Sequence, residues 1–261
     1  MEMNKFNFKK KYGQNFLQDV NIINKIINEI SVLENDLIIE IGAGSGNLTS
    51  KLVQLNTKLI AYEIDLETED YLNMLKSDNL KIIYDNFIKR DINKDLKYYP
   101  YNDLYIVGNL PYYITTLIIK KIIVSNLKPK EMIFMVQKEV ADRFAAKPGN
   151  KEYGYITVYL NYYFEIHKIF NVSKNSFVPI PKVDSSVIKF VSSNKYKALN
   201  ESKFFTLLKD SFQYKRKTLL NNLKKYNKEI IEKILLKNNI KLNIRAEQLP
   251  IEIFIEISNA I

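Results

Sequence analysis

The sequence contains no cysteine, no tryptophan and only one histidine. The absence of cysteine excludes disulfides, thiolate nucleophiles and cysteine-ligated zinc. With His167 alone, neither a histidine-based metal cluster nor a Ser-His triad is expected, and we assign this residue no role. No apolar run approaches the length of a membrane span, and the polar, basic N-terminus has no apolar signal core. We therefore expect a cytoplasmic protein that holds no metal.

Positive charge is concentrated at the two ends of the chain. The net charge is +10, of which residues 1–11 carry +3 and residues 195–261 carry +7, whereas residues 12–194 sum to zero. An AT-rich genome explains many lysines but not their segregation, and a neutral body with basic ends suits a bound polyanion. We predict nucleic-acid binding. The candidate phosphate contacts are Lys9, Lys10, Lys11, Lys138, Arg143, Lys215, Arg216 and Lys217.

Apolar runs rich in β-branched residues alternate with helical patterns through the first two-thirds of the chain. Strands are predicted at residues 37–41, 58–64, 80–84, 104–107 and 132–136. Helices are predicted at residues 48–55, 66–75 and 115–125. This alternation predicts a parallel, doubly wound sheet. Two later runs, 158–170 and 186–191, predict an antiparallel pair of strands at its edge.

The composition becomes polar at residues 192–194, and beyond them apolar residues recur at helical spacing. We therefore predict two domains. Residues 1–192 form an α/β domain, and residues 193–261 form a small, basic helical domain that we expect to bind nucleic acid.

A glycine loop, Gly42-Ala43-Gly44-Ser45-Gly46, follows the first predicted strand of the sheet. Glycines there let a ligand approach the backbone amides closely. Glu63 ends the second predicted strand, where a carboxylate can accept both hydroxyls of a ribose. The layout serves NAD and S-adenosylmethionine alike. We favour S-adenosylmethionine because the spacing differs from the Gly-x-Gly-x-x-Gly loop that holds a pyrophosphate, and because no second nucleotide half follows.

The segment Asn109-Leu110-Pro111-Tyr112 follows the fourth predicted strand. The side-chain carbonyl of Asn109 and the backbone carbonyl of Leu110 can accept the two N–H bonds of an aromatic amine and orient its lone pair. Pro111 fixes the turn. Tyr112 can stack on a purine, and its ring face favours a cationic methyl group. After a glycine loop and an acidic second strand, this segment predicts methyl transfer to an adenine amine.

Phe177 lies in a loop stiffened by Pro179 and Pro181. We predict that its ring covers the target base on the side opposite Tyr112. A base held in this way has to be single-stranded or flipped out of a helix.

These residues resemble the KsgA family of ribosomal RNA adenine dimethyltransferases, and the resemblance covers nearly the whole chain. It is carried by residues 11–19 (KYGQNFLQD), 39–49 (IEIGAGSGNLT), 63–65 (EID), 108–113 (GNLPYY), 136–143 (VQKEVADR), 153–154 (YG), 176–186 (SFVPIPKVDSS) and 216–223 (RKTLLNNL). The resemblance implies a Rossmann-like class I methyltransferase sheet, mostly parallel with an antiparallel edge, plus a small C-terminal all-helical domain.

The resemblance also implies dimethylation of two adjacent adenosines near the 3′ end of 16S ribosomal RNA, with S-adenosylmethionine as donor. The implied partner is the assembling small ribosomal subunit, with a role in ribosome assembly. By motif match, the residues implied to line the donor site are Asn15, Leu17, Gly42, Glu63 and Asn109.

The chain departs from the family pattern after the third predicted strand. Where the family carries an aspartate that accepts from the donor's adenine amine, the matching residue is Asn86. Its carbonyl can accept the same hydrogen bond without charge assistance. We assign Asn86 to the donor site, with Asp85 as the rival if the alignment shifts by one residue.

Three alternatives stay open. The antibiotic-resistance branch of the same fold acts on large-subunit RNA, although Leu110, residues 153–154 and the loop around Phe177 favour the small-subunit branch. A ribosome-assembly factor whose methylation is incidental is the second, and a nicotinamide oxidoreductase is the third. No self-complementary apolar seam is evident in the sequence, so we expect a monomer.

Overall fold

The computed structural model describes residues 9, 13–75, 77–111 and 113–261. This part of the chain contains the strands β1 (Phe16–Leu17), β2 (Leu37–Ile41), β3 (Lys58–Glu63), β4 (Leu80–Tyr84), β5 (Leu104–Asn109), β6 (Glu131–Gln137), β7 (Phe164–Val172), β8 (Phe177–Val178) and β9 (Ser185–Ser192).

The helices in the same described ranges are α1 (Val20–Asn28), α2 (Thr49–Leu52), α3 (Glu69–Asn73), α4 (Ile92–Leu96), α5 (Thr115–Val124), α6 (Lys138–Phe144), α7 (Tyr155–Tyr163), α8 (Glu201–Ser211), α9 (Leu219–Asn222), α10 (Lys228–Lys237) and α11 (Ile251–Ala260). None of these helices is long and apolar enough to cross a membrane.

Seven strands form one sheet in the order β4-β3-β2-β5-β6-β9-β7. Neighbours from β4 to β6 pair in parallel, and β9 runs antiparallel to β6. Every residue of the inner strand β2 (LIIEI) is buried, as expected for a parallel strand covered on both faces. The predicted doubly wound sheet with an antiparallel edge is therefore confirmed.

The predicted edge strand at residues 158–170 is wrong for the first half of that segment. It begins inside helix α7, and strand β7 starts only at Phe164. Its β-branched and aromatic residues favour a strand locally. However, Val158 and Tyr162 lie four residues apart on one helical face and both are buried. The Tyr162 ring stacks on Phe204 with 5.0 Å between centroids, so packing decides the structure here.

The chain divides into two compact units. The first comprises the described residues of Met1–Ala141 together with His167–Val191, and the second comprises Asp142–Ile166 and Ser192–Ile261. This differs from our predicted division, which placed residues 142–166 in the first domain. The reason is packing, because four buried side chains of that segment share a hydrophobic core with helices α8, α10 and α11. They are Ala146, Tyr153, Val158 and Tyr162.

Candidate active site

A cleft of about 780 Å³, with the solvent at its mouth included, lies at the carboxyl ends of β2, β3, β4 and β5. Ligands of open α/β sheets bind at this edge, outside the carboxyl ends of the strands. The predicted site residues that line the cleft are Asn15, Gly42, Glu63, Asp85, Asn86, Asn109, Leu110 and Pro111. The structure therefore brings together residues that lie far apart in sequence.

The glycine loop forms the floor of this cleft next to the Phe16 ring. Gly42 and Gly44 have φ of +80° and +56°, a region that side chains other than glycine rarely adopt. A Cβ atom added to Gly44 would lie 2.8 Å from the Phe16 ring. Gly44 is therefore required both by its φ and by the Phe16 ring, which packs where a side chain would begin.

Glu63 is held at the end of β3 by three backbone amides. Its Oε1 accepts from the N–H groups of Ile64 and Asp65, both at 2.8 Å, and its Oε2 accepts from the N–H of Gly44 at 2.7 Å. Burial raises the pKa of Glu63, and these three donors oppose the shift. A carboxylate accepts about four hydrogen bonds, so this group retains capacity for a ligand hydroxyl.

Asn109 is anchored through its amide nitrogen. Its Nδ2 donates to the backbone carbonyl of Asn15 at 2.8 Å. Since that carbonyl can only accept, the nitrogen has to face it, and Oδ1 is the atom left for a ligand. The next residue, Leu110, donates its N–H to the carbonyl of Met135 at 3.1 Å, and this bond fixes the start of the turn against β6. The structure therefore offers a hydrogen-bond acceptor at position 109.

The two candidates for the adenine contact, Asp85 and Asn86, both line the cleft but differ in their partners. Oδ1 of Asp85 accepts from the N–H of Asn86 at 2.7 Å, and Oδ2 pairs with Arg90 at 2.9 Å. Arg90 lowers the pKa of Asp85 and also makes a bidentate pair with Asp95 at 2.6 and 2.7 Å. Oδ1 of Asn86 accepts from the N–H of Ile88 at 3.0 Å.

Two of the predicted site residues do not line the cleft. Leu17 lies behind it and lines a second cavity of about 480 Å³, which adjoins the cleft through Phe16 and Asn109. Phe177 was expected to cover the target base, and the structure corrects this placement: its side chain is 1% exposed and packs in the core. The cause is the pairing of β8 with β1, which sets Phe177 opposite Leu17. Tyr112 lies outside the described residues.

A buried carboxylate that is not among the predicted site residues lines the second cavity. Glu40 in β2 is 1% exposed, and its Oε2 has no hydrogen-bond partner among the described residues. Burial raises the pKa of Glu40 to about 8; the Thr49 hydroxyl opposes this shift and the charge of Glu63 adds to it. The available signal was a charged residue inside an otherwise apolar strand. In the described ranges, no three His, Cys, Asp or Glu side chains cluster as metal ligands.

The candidate RNA-binding residues fall in different settings. Lys9 forms ion pairs with Asp65 at 2.5 Å and with Glu67 at 2.9 Å. This corrects its expected role, because its charge is compensated within the protein rather than presented to a phosphate. Lys138 is exposed and Arg143 is half-buried in helix α6. Lys10 and Lys11 lie outside the described residues.

The basic loop, defined as residues 215–217, connects α8 and α9 and is exposed throughout. Asn222 fixes its base: Nδ2 donates to the carbonyls of Ser211 and Tyr214 at 2.8 and 3.2 Å, and Oδ1 accepts from the N–H of Tyr214 at 3.1 Å. Lys215, Arg216 and Lys217 form no ion pair with any described residue. The loop thus presents three uncompensated positive charges.

The chain matches the family model described as "Ribosomal RNA adenine dimethylase" over residues 5–261. It is 44% identical to "Ribosomal RNA small subunit methyltransferase A" of Aster yellows witches'-broom phytoplasma, over 94% of this chain and 93% of that protein. Many other curated proteins also match.

Solved structures show the same fold. A dimethyladenosine transferase from Plasmodium falciparum is 27% identical, with a TM-score of 0.76 over 92% of this chain and 95% of that one. The 23S rRNA methyltransferase ErmE is 20% identical, with a TM-score of 0.75 over 94% of this chain and 99% of that one, and at this identity it shows the fold alone.

The buried Glu40 predicts a pH-dependent stability. Its pKa in the folded protein, about 8, lies above the ordinary value of 4.5. The contribution of this group to stability is therefore complete below about pH 4.5 and is lost as the pH rises to about 8. Relative to Glu40→Gln, the wild type should lose free energy of unfolding over this interval in urea titrations. A difference between the two that stays constant with pH would contradict the raised pKa.

The buried position of Phe177 predicts a structural cost of its removal. Phe177→Ala should lower the free energy of unfolding by about 3–5 kcal/mol, because it leaves a cavity in the core. Phe177→Leu keeps most of the apolar volume and serves as the control, with a clearly smaller loss. Chemical denaturation measures both. An alanine variant as stable as the wild type would show that the ring is not part of the core.

Proposed function

This chain belongs to the ribosomal RNA adenine dimethylase family, and we propose that it dimethylates the exocyclic amines of two adjacent adenosines near the 3′ end of 16S ribosomal RNA. It is an S-adenosylmethionine-dependent enzyme. The observation that carries the proposal is the fixed amide of Asn109, which offers an acceptor oxygen at the cleft of the sheet. This family assignment argues against the nicotinamide alternative.

The residues of the cleft fit a nucleoside donor. Gly42 and Gly44 leave the floor free of side chains, and Phe16 supplies an apolar wall. Glu63 keeps acceptor capacity for a ribose hydroxyl at the end of β3. We propose that the donor is contacted directly by Asn15, Gly42, Glu63, Asn86 and Asn109, all of which line the cleft. We propose that Leu17 supports the cleft from behind. Its backbone carbonyl accepts from the Asn47 side chain, and its own side chain packs in the core.

When bound, the donor supplies an electrophilic methyl group on a sulfonium. An adenine amine is a weak nucleophile because its lone pair is delocalised into the ring. Asn109 Oδ1 and the Leu110 carbonyl would accept its two N–H bonds and so favour a pyramidal nitrogen whose lone pair points away from both oxygens. Neither oxygen is basic enough to remove a proton, so the methylated nitrogen releases its proton to water.

The smaller of the two ribosomal subunits is the substrate we favour. The 44%-identical relative is named a small subunit methyltransferase. The likeness to ErmE carries the fold only and does not support the large-subunit alternative. We further propose that the chain acts in the cytoplasm as a monomer on the assembling small subunit, and that its second unit contacts the RNA.

A labelling experiment tests this function. The purified chain is incubated with tritiated S-adenosylmethionine and either undermethylated small subunits or large subunits, and the digested RNA is analysed for labelled nucleosides. We expect N6,N6-dimethyladenosine in the small-subunit RNA alone, with primer-extension stops at two adjacent adenosines. Label in the large subunit, or on another nucleoside, would overturn the proposal.

Asn109→Ala is the matched inactive variant for this assay. Removing one positioned acceptor should lower the rate by about 100-fold, a loss of the size seen when one preorganised hydrogen bond is deleted. Asn93→Ala changes an exposed asparagine outside the cleft and should keep the wild-type rate. A fully active Asn109→Ala variant would remove this residue from the reaction.

The basic loop predicts how RNA binding responds to salt. Replacing Lys215, Arg216 and Lys217 together by alanine should weaken binding to 16S RNA. The slope of log affinity against log salt, which is negative, should become less steep by about 0.7 for each RNA phosphate that the loop no longer neutralises. Filter binding at several salt concentrations measures this slope. The control is Lys237→Ala, since that lysine is already paired with Glu256 at 2.8 Å. An unchanged slope in the triple variant would remove the loop from the RNA footprint.

A further inference from the structure

Tyr214 directly precedes the basic loop and presents its ring to solvent. It is 57% exposed, and it is the only exposed aromatic residue of the second compact unit, in which every residue is described. Its hydroxyl accepts from Nε2 of Gln213 at 3.4 Å, whereas no aromatic ring and no cation of the described residues stacks on it. A large, flat apolar surface therefore lies on the outside of this unit.

The backbone that carries this ring is fixed by hydrogen bonds. Asn222 uses both ends of its amide on Tyr214, because Oδ1 accepts from the N–H at 3.1 Å and Nδ2 donates to the carbonyl at 3.2 Å. The N–H of Lys217 donates to the same carbonyl at 3.0 Å and closes a turn over residues 214–217. Both polar backbone groups of Tyr214 are satisfied within the protein, so little backbone freedom is lost when the ring meets a ligand.

The side chains that follow the ring carry uncompensated positive charge. The three cations of the basic loop form no ion pair with any described residue, and Nζ of Lys215 donates only to the neutral carbonyl of Lys151, at 3.3 Å. The carboxylate closest to Tyr214 in sequence, Asp210, is already paired with Lys225 at 2.8 Å. An aromatic face beside uncompensated cations suits a nucleotide, in which a flat base lies next to a phosphate.

We propose that the Tyr214 ring stacks on an unpaired base of the RNA while the basic loop holds the phosphates next to that base. The inference rests on the proposed function, because it takes ribosomal RNA as the ligand. Bases inside an RNA helix are stacked on both faces, whereas the bases of loops, bulges and single strands can stack on an aromatic side chain. Tyr214 thus adds selectivity for unpaired RNA to a charge contact that has none.

Three variants separate the ring face from other effects at this position. Tyr214→Leu removes the aromatic face and keeps an apolar side chain on the same turn. Tyr214→Phe keeps the face and loses only the hydroxyl. Tyr98→Leu is the matched control, because Tyr98 is 80% exposed but lies in the first compact unit, in the stretch of the chain whose net charge is zero. All three changes are at the surface, so urea denaturation should resemble that of the wild type.

The test measures the affinity of the full chain for paired and unpaired RNA. The probes are a short oligoadenylate and its duplex with oligouridylate, followed by fluorescence anisotropy. Filter binding then measures 16S RNA, both free of protein and within small subunits, at several salt concentrations.

Tyr214→Leu should bind the oligoadenylate and the protein-free 16S RNA at least about fivefold more weakly than the wild type, whereas Tyr214→Phe and Tyr98→Leu should stay within about twofold. All four proteins should bind the duplex with affinities within about twofold of one another, since a duplex offers the ring no base face. The slope of log affinity against log salt should be the same for Tyr214→Leu and the wild type, because stacking releases no counterion.

The proposal is overturned if Tyr214→Leu binds the oligoadenylate as tightly as the wild type, or if its binding to the duplex is weakened by the same factor. It is also overturned if Tyr214→Phe is as weak as Tyr214→Leu, since the hydroxyl and not the ring face would then make the contact. A loss seen with small subunits but not with protein-free 16S RNA would place the ring against a ribosomal protein and overturn it as well.

Failure of the proposed function has a different outcome. In that case the wild type itself would bind none of these RNAs, or would methylate no adenosine of the small subunit. A wild type that binds and methylates, together with a Tyr214→Leu variant that binds equally well, would overturn only the stacking of Tyr214.

Discussion

The hydrogen bond between Asn109 Nδ2 and the carbonyl of Asn15 determines which end of the Asn109 amide is available to a ligand in the cleft. An amide has a donor end and an acceptor end, so engaging one end decides which the ligand meets. The bond ties the end of the central strand β5 to the segment that precedes β1. It leaves Oδ1 of Asn109 available at the cleft, where we propose that the amine is held, and the next residue after Asn15, Phe16, packs its ring against the glycine loop.

The remaining polar groups of the cleft follow the same logic. Glu63 is oriented by three backbone amides, and Asp85 is engaged by Arg90, so neither is free to rotate toward a ligand in another way. Glu40 differs, since it is buried with an unpartnered oxygen among the described residues. In the reaction we propose, the chain would act through fixed hydrogen-bond polarity rather than through a strong acid or base, which suits a donor that is already a strong electrophile.

The sequence was sufficient for the elements whose signal is local. The strands at 37–41 and 80–84 end where predicted, because buried parallel strands are nearly continuous apolar runs bounded by turns. Helix α7, the inward ring of Phe177 and the ion pairs of Lys9 were not predicted, since each depends on a partner distant in sequence. The amide orientations belong to the same class: Asn86 and Asn109 are one residue type, and only Ile88 and Asn15 set them apart.

The orientation of Asn109 and of the donor can be seen in a crystal structure of the chain with S-adenosylhomocysteine. We expect the ligand's sulfur to face residues 109–111 while Asn109 keeps its nitrogen on the Asn15 carbonyl and its oxygen toward the space for the base. A ligand whose sulfur points away from these residues, or an Asn109 amide turned the other way, would contradict it.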